Sequence, residues 1–183
     1  MLQIPLYYLA PVSYYSRLYR ALASGEGYCF DSADRWEKQT LRSRCFIASA
    51  QGPAMLSVPV THNRASGLTA DCLLSAHGNW QHRHWNALVS NYRQSPFFDY
   101  YADDFAPHYR PGAHATLRSF NMALHSVVME HLGLNGLPPT VRPRPSAKLN
   151  PYYQVFANRT GFLPDLSVVD LLFNTGPEAR LYL

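Results

Sequence analysis

Charge, cysteine and lysine are all scarce in this 183-residue chain. Asp, Glu, Lys and Arg together make up 15% of it, against about 25% in an ordinary globular protein. With 47% apolar and 14% aromatic residues, the composition excludes an intrinsically disordered chain, which needs few aromatics and a high net charge. No apolar run reaches the roughly 18 residues of a transmembrane helix, so no membrane insertion is expected. No basic segment followed by an apolar one opens the chain, so no signal peptide is expected. Three cysteines (Cys29, Cys45 and Cys72) are odd in number and widely spaced. That pattern fits reduced thiols and a cytoplasmic protein. The Ser elbow G-x-S-x-G, the phosphate loop of P-loop proteins, G-x-G-x-x-G and CxxC are all missing. Serine hydrolase, P-loop and dinucleotide-binding chemistry therefore lose their main support, and no cofactor is expected.

What remains points to a single soluble domain over residues 1–183, which is long enough to bury a sizeable core. Thirteen tyrosines dominate its aromatics. Sixteen basic residues exceed twelve acidic ones, for a net charge of +4. Only Lys38 and Lys148 are lysines, and the rest are arginine. Arginine's planar fork recognises phosphate and carboxylate bidentately. The bias therefore suits an anionic small ligand; no basic stripe or motif accompanies it to favour nucleic acid.

Along the chain, Met1–Leu9 reads as a first strand. Tyr15, Leu18, Tyr19 and Leu22 give the next segment helical period, and Gly27–Asp31 reads as a second strand. This β-α-β start argues an α/β class with a parallel pair. Arg44–Ala50 and Ala54–Val60 read as a hairpin turning at Gln51-Gly52-Pro53, with Leu68–Ser75 as a further strand. Asn79–Gln94 is expected as a helix capped by Asn79, burying Trp85, Leu88, Val89 and Tyr92. Phe97–Tyr109 fits a short helix. His114–Leu132 fits a long helix ended by Gly133. Asn135–Pro151 holds five prolines and reads as an extended arm. Tyr152–Phe156 reads as a late strand and Ser167–Asn174 as a helix with Ser167 and Asp170 in a capping box. The expected architecture is a mixed, three-layer α/β domain with a hairpin and C-terminal helices.

Several clusters could carry chemistry. Trp80-Gln81-His82-Arg83-His84-Trp85 holds two histidines. On a helix they lie about 200° apart, which argues against a shared metal. They are either boundary residues with ordinary hydrogen bonds or a general base facing a pocket. If residues 38–44 are extended, Lys38, Arg42 and Arg44 share one side. They would then form an anion clamp or the charges of a solvated edge. Cys45 would face the core. Asp31 follows the second strand, where ligands of α/β sheets sit, although a loop acid explains it too. Tyr8 and Tyr14, with Tyr7 and Tyr15, offer hydroxyls and stacking faces or simple packing. Asn121 falls on the apolar face of its helix and needs partners there. A metal-dependent hydrolase using His62, His77, His82, His84 and Asp31 is a weaker alternative, because the spacing selects no ligand set.

Taken in order, these segments resemble the WbqC-like family of bacterial proteins. The resemblance runs through Tyr8-Leu9-Ala10-Pro11 with Tyr14-Tyr15, Lys38-Gln39-Thr40 with Arg42-Ser43-Arg44-Cys45, and Leu56-Ser57-Val58-Pro59-Val60. It continues through Asn79-Trp80, His84-Trp85, Tyr92 and Ser95-Pro96-Phe97-Phe98 to Tyr153-Gln154-Val155-Phe156, Gly161-Phe162 and Asp170-Leu171-Leu172-Phe173-Asn174. The sequence departs from the family's Arg-Asn-Arg at Ser43, whose reach is shorter, and from its Pro-Pro at Ala10. The resemblance implies a cytoplasmic role in surface polysaccharide assembly of the O-antigen type, including transfer of an amino acid to a sugar. The expectation is then a transferase acting on a sugar nucleotide or phosphorylated sugar. Lys38, Arg42 and Arg44 would hold the anion, and Tyr8, Tyr14, Trp80 and Asn121 would bind the sugar or base. His82 or His84, with Asp31, would move the proton. The alternative is a non-enzymatic scaffold, and a homodimer fits either.

Overall fold

The protein is described from a computed structural model covering residues 1–61, 67–137 and 150–183. The β-α-β start forms as expected. Strand β1 (Leu2–Ile4) pairs in parallel with β2 (Tyr28–Phe30), Leu2 opposite Tyr28 and Ile4 opposite Phe30. Helix α1 (Val12–Ala23) connects them and buries Val12, Tyr15, Leu18, Tyr19 and Ala23. Its first turn lacks an acidic residue of its own. Asp165 supplies one from the far end of the chain, accepting the Ser13 N–H and hydroxyl, each at 2.8 Å. A carboxylate there satisfies an orphan donor and faces the positive end of the helix dipole.

Strands β3 (Arg44–Ser49) and β4 (Gly52–Ser57) form the hairpin. The turn is tighter than its proline suggested. Ala50 and Gln51 make it, Gly52 opens β4 at φ +110°, and Pro53 sits within β4 opposite Ala48. Proline is tolerated because β4 has only one strand neighbour. Cys45, Ile47 and Leu56 point inward. The stretch 68–75 yields a 3-10 turn at Thr69–Asp71 and only two strand residues, β6 (Leu73–Leu74), paired with β5 (Val60–Thr61). The strands thus form three separate two-stranded ladders among the described residues, not one continuous sheet.

Helix α2 (Trp80–Tyr92) starts after Asn79, which adopts φ +47° and makes no side-chain cap. Its buried face runs through Trp80, His84, Leu88 and Tyr92. The face centred on Trp85 is therefore rotated by one residue, because Trp80 and His84 pack into Tyr8 and Phe120. Helix α3 (Phe98–Phe105) continues into a 3-10 turn at Ala106–Tyr109. Helix α4 (Leu117–His131) begins at a capping box of Thr116 and Ser119, three residues later than its apolar pattern suggested. Gly133 follows its end at φ +61°.

Tyr152–Phe156 is not a strand. Side chains hold it instead: the Gln154 amide donates to Leu163 O and accepts from Leu163 N, both at 2.9 Å. A short helix α5 (Ala157–Thr160) follows. Helix α6 (Val168–Thr175) is buried throughout, and a 3-10 segment, Gly176–Tyr182, ends the chain's regular structure. The capping box expected from Ser167 and Asp170 does not form. The Asp170 carboxylate turns into the core, where it accepts hydrogen bonds from Tyr92, Tyr152 and Gln154. All the strands, and the α-helices other than α5, contribute to one connected apolar core. Most of the proline-rich arm, residues 138–149, lies outside the described residues, as do residues 62–66. No helix among the described residues is long and apolar enough to cross a membrane.

Candidate ligand cleft

The residues singled out in the sequence divide among three places. Tyr8, Trp80 and His84 meet in the core. The Tyr8 hydroxyl lies 3.0 Å from His84 Nδ1 and 3.1 Å from the Tyr109 hydroxyl. A further hydrogen bond joins the His84 ring to the Ser57 backbone. Tyr8 and Trp80 are 0% and 1% exposed and His84 7%, so the expected stacking faces are covered by protein. Burial is the main reason that His84 is lowered to about 4, opposed by the Ser57 hydrogen bond. It is a neutral imidazole at pH 7. Burial likewise pushes Tyr8 and the Cys45 thiol up, leaving both protonated. His82 is exposed on the other side of α2 and bonds Asn86, one turn on, at 2.9 Å.

The cationic face expected from Lys38, Arg42 and Arg44 does not form as drawn. Residues 38–43 are turns, with Gln39 at φ +63°, and only Arg44 lies in a strand. Arg42 is engaged by Asp34 through Nε and Nη2, and by Glu37 at 3.2 Å. The Asp34 hydrogen bond foremost raises its pKa further. Asn121 holds this loop by donating to Arg42 O at 2.8 Å. With Asp31, Thr69 and Arg118 it lines a cavity of about 10 Å³ beside the carboxyl end of β2, room for about one water molecule. The Asn121 Oδ1 and Thr69 Oγ1 atoms are buried without partners.

Tyr14 belongs to a larger feature. A groove of about 900 Å³ runs along α1 and β1, within the size range of small-molecule sites. Ser13, Arg17, Arg20 and Ser24 line it at helical spacing, with the Tyr7 and Tyr14 rings tilted against each other at 5.6 Å beside them. The Tyr14 hydroxyl donates to Pro5 O at 2.9 Å, which fixes the ring. Arg20 Nε donates to Ser16 O. Arg17 is exposed and has no ion-pair partner among the described residues. The groove's two acids are already engaged: Glu26 pairs with the N-terminal amine at 3.3 Å, and Asp165 caps α1. The arginines are left to attract an anion.

Pro11, Leu41 and Asp165 line this groove and also a second pocket of about 220 Å³ behind it. Leu9, Cys45 and Phe46 make that pocket apolar, and Ser167 contributes a hydroxyl that is buried without a partner. Leu9 takes φ +40° here and Asp165 φ +55°, conformations that cost a residue with a Cβ and gather at ligand sites. Polar groove and apolar pocket form one cleft that can seat an anionic group at its mouth and a small apolar group at its end.

The sequence reading places none of Arg17, Arg20, Ser13, Asp165 and Ser167 at a site, and gives Asp165 and Ser167 capping roles alone. Arg17 and Arg20 had a signal, because they fall on α1's polar stripe directly after the first strand. The Ser13–Asp165 contact spans 152 residues and left no local trace. Among the described residues no three of His, Cys, Asp and Glu gather to hold a metal ion.

The comparisons with known proteins agree with the resemblance. The chain is 25% identical, over 194 residues, to an uncharacterized protein of Mycobacterium tuberculosis, an alignment that covers 81% of this chain and 84% of the other. No solved structure matches the chain at a significant level. The family model for the WbqC-like protein family matches residues 7–142, which takes in β2, the hairpin and helices α1 to α4. The C-terminal motifs that extend the resemblance lie beyond this match, yet it spans most of the chain, which therefore belongs to the WbqC-like protein family.

Proposed function

We propose that the α1 cleft binds a phosphorylated or nucleotide-activated sugar, and that the protein serves surface polysaccharide synthesis of the O-antigen type in the cytoplasm. The reaction read here is transfer of an aminoacyl or acyl group from an activated ester or thioester donor onto a hydroxyl or amine of the sugar, in which the acyl–carrier bond breaks and the proton given up by the acceptor leaves with the carrier. The observation that carries this reading is Arg17, a guanidinium without an ion-pair partner among the described residues, in a groove that shares the walls Pro11, Leu41 and Asp165 with an apolar pocket. Arg17 and Arg20 take the phosphate, Tyr14 packs on the sugar or base, and the 220 Å³ pocket receives the small group to be transferred. In this reading the anion-binding role passes from Lys38, Arg42 and Arg44 to α1, and Tyr14 keeps the role expected of it.

Family membership supports the polysaccharide setting. Titration calorimetry with a panel of sugar nucleotides tests the site. Wild type binds at least one member. Arg17→Ala weakens that binding by about 10-fold or more, the loss of one charge-assisted contact of roughly 1.5–3 kcal/mol. Binding that the substitution leaves unchanged would remove the site.

A second reading, a non-enzymatic binding protein, draws on a different surface. Phe46 and Met55 stand directly opposite each other on the hairpin, 42% and 49% exposed. Such a pair suits a partner or a second copy of the chain. A stable oligomer that loses mass on Met55→Lys, together with no response to any sugar nucleotide, would favour it.

A further inference from the structure

The hairpin has one edge that the rest of the chain leaves open. Opposite residues of an antiparallel pair alternate between exchanging both backbone hydrogen bonds and exchanging none. Val58 N–H donates to Ser43 O at 2.8 Å. In step with it Leu56 bonds Cys45 and Ala54 bonds Ile47, whereas the pairs Arg44–Ser57, Phe46–Met55 and Ala48–Pro53 turn their backbone groups outward. On β3 the chain itself meets these groups. Ser167 N–H donates to Phe46 O at 2.8 Å, and Ala48 N–H donates to the Tyr92 hydroxyl at 2.9 Å. On β4 the Pro53 carbonyl, both backbone groups of Met55 and the Ser57 N–H have no hydrogen bond among the described residues. Ser57 O is different. The His84 ring bonds the Ser57 backbone, and this bond favours the protonated ring, so the ring donates and Ser57 O accepts. Pro53, Met55 and Ser57 are all exposed.

Open edges are usually guarded by charged side chains, but Gly52–Ser57 carries none. Pro53 is the one guard, and it blocks pairing selectively. The edge presents, in order, an acceptor at Pro53, a donor and an acceptor at Met55, and a donor at Ser57. Read backwards, that pattern is its own complement. With a second β4 laid antiparallel about a twofold axis through Met55, each Met55 N–H meets Met55 O of the other copy. Each Ser57 N–H meets Pro53 O, and the N–H that Pro53 lacks falls opposite Ser57 O, which His84 already engages. Every free group then has a partner. Neighbouring registers do worse. Met55 opposite Pro53 leaves Met55 O facing the missing N–H, and Met55 opposite Ser57 aims Met55 N–H at the carbonyl already engaged. The side chains agree with the first register. Phe46 stands directly opposite Met55 on the exposed face, so the pairing extends Phe46 and Met55 into one apolar row across both hairpins. Ser167 and Tyr92 close the outer edge of β3, so assembly through this edge ends at two copies.

We infer that β4 pairs edge to edge with β4 of a second copy of the chain, antiparallel and centred on Met55, which joins the two hairpins into one sheet. The inference rests on the Phe46–Met55 surface of the second reading above and names its partner, and it holds whether or not the α1 cleft binds a ligand.

Analytical ultracentrifugation of the full chain, with disulfide trapping, tests it. Wild type forms a dimer in the micromolar range, the weak end that a small interface supports. Met55→Lys sets two like charges against each other on the axis and raises the dissociation constant by about 10-fold or more. Met55→Leu, which keeps the apolar row, stays within about 3-fold of wild type. Met55 is exposed, so both variants are expected to fold, and a thermal melt checks that they do. Trapping reads the register. The Cα atoms of a hydrogen-bonded antiparallel pair lie about 5.5 Å apart, within disulfide reach. In a chain whose exposed Cys29 is replaced by serine, Met55→Cys therefore links two copies under mild oxidation. Ser57→Cys, roughly 13 Å along the strands from its counterpart, does not. Arg17→Ala dimerises as wild type does, which separates this edge from the α1 cleft. A chain that stays monomeric, a dimer indifferent to Met55→Lys, or a failure of Met55→Cys to link two copies overturns the inference. So does linkage through Ser57→Cys.

Discussion

Asp170 is a buried carboxylate with no cation paired to it among the described residues. Its side chain is 0% exposed, and the charge is carried by donors alone: Tyr92 at 2.9 Å, Tyr152 at 2.7 Å and Gln154 at 2.8 Å. Burial raises its pKa, and these three hydrogen bonds hold the rise back. The donors come from α2 and from the segment before α5, whose Gln154 also clamps Leu163. One carboxylate therefore ties two parts of the chain to α6, and Tyr92 extends the tie to the hairpin by accepting the Ala48 N–H at 2.9 Å. Replacing Asp170 with Ala would leave the buried Tyr92 and Tyr152 hydroxyls without this acceptor and the Gln154 amide with Leu163 O in place of two strong acceptors. Asp170→Ala is expected to cost about 3–5 kcal/mol. Asp170→Asn, which keeps the shape and one acceptor, should cost about half as much. Urea denaturation of the two variants checks the order, and a loss below about 1 kcal/mol for Ala would show that the tie is not structural.

At the scale of elements, the sequence was readable wherever a local pattern decides the structure. The β-α-β start, the hairpin and helices α1, α2 and α4 all follow from apolar period and stop signals between them. Elements held by distant side chains were not readable. Tyr152–Phe156 has the residues of a strand, but its partner is the Gln154 amide clamp on Leu163. The Ser167–Asp170 spacing spells a cap, yet the carboxylate has stronger partners in the core. The candidate site followed the same division. Tyr14, which lines the groove, stands out in the sequence because it follows the first strand, while Trp80 and His84 were misplaced because helical period alone does not say which flank meets Tyr8. Asp165 is the sharpest case: its contribution to α1 acts across the whole chain. Asp165→Ala removes the acceptor for the Ser13 N–H and hydroxyl, and is expected to cost about 1 kcal/mol and fray the first turn of α1. Hydrogen exchange at the amides of residues 12–15 should accelerate while that of α4 stays as it is. Equal acceleration in both helices would mean that the contact does not act as a cap.

The whole molecule carries a pH dependence written by two core imidazoles. His84 accepts or donates with Tyr8, and His125 lies between the Tyr15 hydroxyl at 3.0 Å and the Tyr28 hydroxyl at 3.2 Å. Burial lowers both to about 4, against an ordinary 6.5 in the unfolded chain. The unfolded state therefore takes up protons first as pH falls, and folding loses stability between about pH 6.5 and pH 4. From pH 7 to pH 5 the loss is about 2 kcal/mol for each histidine, or about 3–4 kcal/mol for the pair. Asp170 works in the opposite sense. Its raised pKa gives a contribution that is present at low pH and lost as pH rises, but the three hydrogen bonds that favour its charged form limit the effect. The imidazoles should therefore prevail, and urea midpoints should fall on going from pH 7 to pH 5. His125→Gln should be less stable at pH 7, because Tyr15 loses its partner, yet its stability should fall by about half as much as wild type's over the same interval. A wild-type midpoint that does not move between these pH values would mean that the two imidazoles are not held neutral by the core, and the Tyr–His–Tyr packing that joins α1, α4 and β2 would need another account.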